Sequence, residues 1–170
     1  MKDNREYQIK LMSALAKVFP GQEPEEDPCC TGFTMLRGET FSFVAAYTCG
    51  GGDGGRGNFD AVVRVESPAA EYCRIREIVP VPSLRPVNSC ADSNYLRTQP
   101  GMYPDLLTEP AGGRITFTPG QFKSLWIDVE IPENGPHGEI PVAVVFASPE
   151  EEELCRRETS IKVYRTVLGP

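Results

Sequence analysis

The fold class this sequence predicts is all-β: an antiparallel β-sandwich, immunoglobulin-like or similar, of about seven or eight strands. Three observations carry that expectation. Glycine and proline contribute 16 residues each of 170, punctuation that breaks long helices and suits short strands joined by turns. Alternation of apolar and polar residues with period 2 recurs along the chain, most cleanly from Phe122 to Ile131. Hydrophobic residues make up 40% of the chain, enough for a core between two sheets.

Taken in order, Tyr7, Ile9 and Leu11 alternate with polar neighbours and predict a first strand. Ser13 to Phe19 is read as a short helical turn ended by Pro20-Gly21, and Gln22 to Pro28 as an acidic loop. Thr40 to Tyr47 is rich in aromatic residues and reads as a strand. Cys49 to Asn58 is a glycine tract. It fails the phosphate-loop pattern, because Arg56-Gly57-Asn58 leads into a strand rather than a helix, and a hairpin loop is the simpler reading. Phe59 to Glu66 and Glu71 to Val81 are further strands, the second closed by Pro80 and Pro82. Residues 82–113, with Pro86, Pro100, Pro104 and Pro110, are expected to form a long irregular insertion that has a contact to make.

The final third is clearer. Ile115 to Thr118 is a short strand before a Pro119-Gly120 turn. From Phe122 to Ile131, Leu125, Ile127, Val129 and Ile131 share one face while Trp126, Asp128 and Glu130 share the other. Pro132 to Gly138 turns the chain, Ile140, Val142, Val144 and Phe146 alternate again, and an acidic loop, Pro149 to Glu153, precedes a last strand through Ile161, Val163 and Arg165. Residues 1–170 are expected to form a single sandwich domain, with Leu168-Gly169-Pro170 resembling the start of a linker.

Charge and composition narrow the function. Seventeen Lys and Arg against 24 Asp and Glu give a net charge of −7, which lacks the basic footprint of a nucleic-acid binder. One histidine and six cysteines without a CxxC pair predict no metal site and no cofactor. No apolar run approaches the roughly 18 residues of a membrane span. The charged N-terminus carries no recognisable secretory signal, so the expected location is the cytoplasm, with Cys29, Cys30, Cys49, Cys73, Cys90 and Cys155 as free thiols.

Three groups could carry chemistry. His137 lies in a Gly-Pro-His-Gly turn and is the one candidate imidazole base, although no GxSxG elbow accompanies it. Asp128 and Glu130 project from one strand face with Cβ atoms about 7 Å apart, a spacing that glycosidase carboxylates share with any solvated strand. Trp126, the single tryptophan, sits beside them opposite the apolar stripe. There it is expected to be exposed, for packing under residues 82–113, contacting another domain, or stacking on a sugar.

Several strings then resemble one family. Leu36-Arg37-Gly38-Glu39-Thr40-Phe41-Ser42-Phe43, Ser13-Ala14-Leu15 with Lys17-Val18-Phe19-Pro20, Tyr103-Pro104-Asp105-Leu106-Leu107, Pro119-Gly120-Gln121 with Ser124-Leu125-Trp126 and Val129-Glu130-Ile131-Pro132, and Pro136-His137-Gly138 occur in the order found in the N-terminal β-sandwich domain of glycoside hydrolase family 123 and related bacterial proteins. Val44 departs from that pattern, and so does Pro141. The resemblance implies a non-catalytic accessory domain. In the family a separate C-terminal barrel hydrolyses β-linked N-acetylgalactosamine with an Asp–Glu pair, and no residue here matches that pair. The implied partner is the barrel, with Tyr103, Pro104, Asp105 and Trp126 the expected contacts. A carbohydrate-binding module that uses Trp126, Asp128 and Glu130 on glycans is the alternative, and an autonomous enzyme ranks last.

Overall fold

The computed structural model describes residues 5–25, 32–50, 57–85 and 95–168. The glycine tract at 51–56, the cysteines Cys29, Cys30 and Cys90, and Gly169-Pro170 lie outside the described residues. Ten strands run β1 (Tyr7–Ser13), β2 (Phe33–Arg37), β3 (Thr40–Cys49), β4 (Phe59–Glu66), β5 (Cys73–Ser83), β6 (Gly101–Thr108), β7 (Arg114–Phe117), β8 (Lys123–Glu130), β9 (Gly138–Ala147) and β10 (Glu153–Val167). They form two five-stranded sheets, ordered β1-β3-β8-β5-β6 and β2-β10-β9-β4-β7. The sandwich is as expected, but with ten described strands rather than seven or eight. Its pairs are antiparallel except β2 with β10, which is parallel.

Alternation places the core. Phe43, Ala45 and Tyr47 of β3 and Leu125, Ile127 and Val129 of β8 face Val142, Val144 and Phe146 of β9 and Ile161 and Val163 of β10. Aromatic rings join the sheets at two places. Tyr47 lies 5.0 Å from both Phe117 and Phe146, and Phe117 stacks on Phe59 at 5.2 Å. Elsewhere Phe33 of the second sheet meets Phe41 and Phe43 of the first at 4.9 and 5.2 Å. Offset and edge-on rings add roughly 0.5–1.5 kcal/mol per pair beyond the area they bury.

Two expectations fail at prolines. Residues 82–113 are not one irregular insertion, because Gly101–Thr108 is strand β6, paired with β5. Pro80 and Pro82 do not end β5 either. They sit where β5 has outrun β8, which pairs it only over Cys73–Ile78, and the β5–β6 register shifts between Val79 and Pro80. Proline is tolerated where one side of the ladder is free, and at a bulge.

The segment after β1 is also not helical. A single turn closes with Ala16 N–H donating to Ser13 O (2.9 Å), and the chain then straps the outer face of the first sheet. Val18 is buried there with Met12, Val44 and Ala46, and Ala16, Ile78, Phe122 and Trp126 pack around them. Phe122 N–H donates to Pro20 O, Lys10 Nζ holds Glu23 (2.7 Å) and Pro24 O (2.9 Å), and Phe19 meets Tyr103 edge-on at 5.8 Å.

The outer face of the second sheet is covered differently. Val145 of β9 is fully buried on that side, between its ladder partners Arg64 of β4 and Arg156 of β10. Glu66 pairs with both of those arginines, and Arg156 reaches Glu153 and Glu158 as well.

The chain crosses between sheets at Leu36-Arg37-Gly38-Glu39. Gly38 has φ +79, its N–H donates to Ile131 O (2.7 Å), and Glu39 Oε2 accepts from Leu36 N–H (2.7 Å). A side chain is disfavoured at that φ, so glycine is required by geometry.

Because Phe146 is fully buried between Tyr47 and Phe117, Phe146→Ala should cost about 3–5 kcal/mol in urea unfolding, whereas truncating exposed Leu15 to Ala should change stability by about 0.5 kcal/mol or less. Similar losses for the two would contradict the core assignment.

Candidate functional site

Strand register builds a row of polar side chains on the outer face of the first sheet. Ser42 of β3 lies opposite Asp128 of β8, which lies opposite Arg74 of β5; one step along, Val44, Trp126 and Arg76 are aligned. Asp128 is the hub. Ser42 Oγ–H and Trp126 Nε1–H each donate to its Oδ1 at 2.6 Å, and the Arg76 guanidinium donates to Oδ2. The Asp128 and Arg76 side chains keep only 14% and 25% of their exposure. Arg76 Nε is buried without a hydrogen-bond partner. Burial is the largest single influence on the Asp128 carboxyl and opposes its ionisation, but the bonds from Ser42, Trp126 and Arg76 together hold its pKa below the ordinary value.

Trp126 therefore is not the exposed ring the alternation suggested. It is half-buried, packed beside Val18 and Phe122, with its ring N–H committed to Asp128. Alternation gives the face a residue occupies but not what covers that face, and the strap covers this one.

The neighbouring carboxylates part company. Glu130 is exposed and lines an open cleft of about 340 Å³ with Glu71, Tyr72, Cys73, Arg74 and Pro132. A glycosidase acid needs a carboxyl held protonated near neutral pH, and Asp128 is shifted the opposite way. Tyr103 turns to Phe19 and donates its hydroxyl hydrogen to Gln99 O (2.6 Å), Pro104 is buried, and Asp105 is exposed. His137 is exposed, and its Nε2 accepts from Arg165 Nε–H at 3.0 Å, a contact that supplies no nucleophile.

No local pattern pairs Ser42 or Arg76 with Asp128, because cross-strand partners are set by register. The same holds for a buried cluster at the inner edge of β3. Tyr47 is fully buried, its hydroxyl 3.5 Å from Glu77 Oε1, and Lys123 bridges Glu77 (3.6 Å) to Thr116 O (2.8 Å). Burial first, then the Glu77 charge, pushes the Tyr47 hydroxyl far above its ordinary pKa. Burial likewise pushes the Cys73 thiol up to about 11 and Cys155 to about 12, so neither is a thiolate at neutral pH. Among the described residues no group of three or more His, Cys, Asp or Glu could hold a metal ion, and no helix is long and apolar enough to cross a membrane.

No protein-family model matches the sequence, and no curated protein matches it either. Solved structures do. The chain is similar to part of a family 123 glycoside hydrolase from Clostridium perfringens, a structure described in connection with glycolipid glycan hydrolysis, with a TM-score of 0.65 and 10% identity. That match covers 95% of this chain and 27% of the hydrolase, so the chain spans about a quarter of that protein's length. At 10% identity it establishes a common fold. The SrpA adhesin of Streptococcus sanguinis (TM-score 0.40, 13% identity, 96% of this chain and 60% of that one) and the GspB Siglec domain (0.39, 10%, 79% and 54%) are more distant, and nothing is argued from them.

The lowered Asp128 pKa has a stability consequence. Its contribution is fully present above the unfolded-state value near 3.8 and is lost as pH falls from there through the folded value. Asp128→Asn should cost about 1–3 kcal/mol at pH 7, and the variant should lose less stability than the native chain between pH 5 and pH 2, by roughly that amount. Parallel pH profiles in urea unfolding would contradict the hub.

Proposed function

We propose that this chain is a non-catalytic accessory β-sandwich of a larger protein related to family 123 glycoside hydrolases, in which a separate barrel domain performs the hydrolysis of β-linked N-acetylgalactosamine. The observation that carries this reading is the fold match, which takes in nearly all of this chain and about a quarter of a family 123 hydrolase.

The places where the sequence resembles the family support it. Leu36-Arg37-Gly38-Glu39 is the crossing between sheets, and Pro119-Gly120-Gln121 is the turn before β8, with Gly120 at φ +74. Ser13 ends β1 and accepts the turn bond from Ala16 N–H, and Lys17-Val18-Phe19-Pro20 belong to the strap. These motifs do backbone and packing work, as expected of a scaffold. The best-connected carboxylate, Asp128, is held as a structural anion rather than poised for proton transfer.

The purified chain should release no aryl group from an aryl N-acetyl-β-galactosaminide above a buffer blank. Turnover that co-purifies with the chain and follows its concentration would overturn the reading.

A further inference from the structure

We propose that Asn134 is a modification site: in the turn between β8 and β9 its side-chain amide is converted by water, without an enzyme, to an aspartyl or isoaspartyl carboxylate. The proposal stands apart from the accessory reading above.

The chain has five asparagines, and Asn134 is the one followed by glycine. Residues 132–135 form a tight turn closed by Gly135 N–H donating to Pro132 O (2.8 Å). Asn134 is exposed in that turn, and among the described residues no hydrogen bond holds its side-chain amide. The fold itself demands the glycine. A Cβ at position 135 would lie 2.8 Å from Ile131 Cγ2 and 2.9 Å from both Cδ and O of Pro132, closer than real side chains approach. Ile131 cannot give way, because it is fully buried and its O holds the Gly38 N–H. The turn that exposes the asparagine therefore also fixes the neighbour that makes it labile.

Glycine matters to the chemistry because it puts no side chain in the path of its own nitrogen, and its backbone reaches conformations barred to other residues. Once base removes its proton, the Gly135 nitrogen attacks Asn134 Cγ. The N–Cγ bond forms, the Cγ–Nδ2 bond breaks, and Nδ2 takes a proton from water and leaves as ammonia. One water then opens the five-membered succinimide. Attack at Cγ gives aspartate, and attack at the main-chain carbonyl carbon gives isoaspartate. The sum is amide plus water to carboxylic acid plus ammonia. While Gly135 N–H rests on Pro132 O its proton is held, so attack waits for that bond to open. An exposed turn opens far more often than the strands it joins.

Another asparagine provides an internal control. Asn58 is also exposed, but the nitrogen that would attack it belongs to Phe59, the first residue of β4, paired with Phe117 and packed on the core. Exposure is shared by the two sites, and the following residue is not.

The product alters more than one side chain. A new carboxylate joins Glu133 and His137 in the same turn. The isoaspartyl form also adds a methylene to the main chain between Ile131, which holds Gly38, and Gly138, which pairs with Val163.

The test is to keep the folded chain at mildly alkaline pH and follow its peptides by mass and its charge forms by anion exchange. The peptide that carries Asn134 should gain about 1 Da. Its conversion should run about tenfold or more ahead of conversion at Asn58. The Asn134→Gln variant should lose the earliest acidic form. Conversion at Asn134 no faster than at Asn58 would overturn the proposal, and so would an earliest acidic form that persists in Asn134→Gln.

Discussion

The structure depends on ring contacts that cross between its two sheets. Tyr47 and Tyr7 from the first sheet meet Phe59, Phe117 and Phe146 from the second, and Phe41 and Phe43 meet Phe33 in the same manner elsewhere. Large rings facing each other fix the intersheet gap, since interiors tolerate neither voids nor overlap of a methyl group's size. Once the gap is set, the inward registers of β3, β8, β9 and β10 follow, and a slip of one residue would turn every core side chain outward.

With the interior fixed, each outer face has to be finished, and the two are finished by different physics. The first sheet carries apolar residues outward at Met12, Val44 and Ala46 and covers them with the strap centred on Val18. The second carries Ala143, Val145 and Ala147 outward on β9 and covers them with ion-paired arginines and glutamates from β4 and β10. Exposed ion pairs contribute little stability individually, but they let long side chains lie flat over a strand of small residues.

Much of this was legible in the amino-acid order. Strands β8 and β9 were plain because their alternation runs unbroken, and the inward set Leu125, Ile127 and Val129 came directly from it. Strand β6 was hidden because proline normally argues against a strand, and Pro104 is acceptable because β6 is the edge strand of its sheet and lies at a register shift with β5. Strand β2 was hidden for another reason: it is five residues long and earns its place by pairing with residues more than a hundred positions away. The site was the least legible part. Asp128 and Trp126 were visible as a pair on one face, but the Ser42 and Arg76 contacts that hold Asp128 ionised depend on register across three strands. The cover over Trp126 depends on where the strap lands, which no local pattern encodes.

If the domain is an accessory scaffold, removing it should damage the stability of the larger protein and spare its chemistry. The direct measurement is deletion of residues 1–168 from the full reading frame, followed by kcat on an aryl N-acetyl-β-galactosaminide per folded molecule and by thermal melting. The expected result is a kcat within about twofold of the intact protein together with a lower Tm. A kcat lost while Tm is unchanged would contradict the assignment, because it would place part of the catalytic machinery in this sandwich.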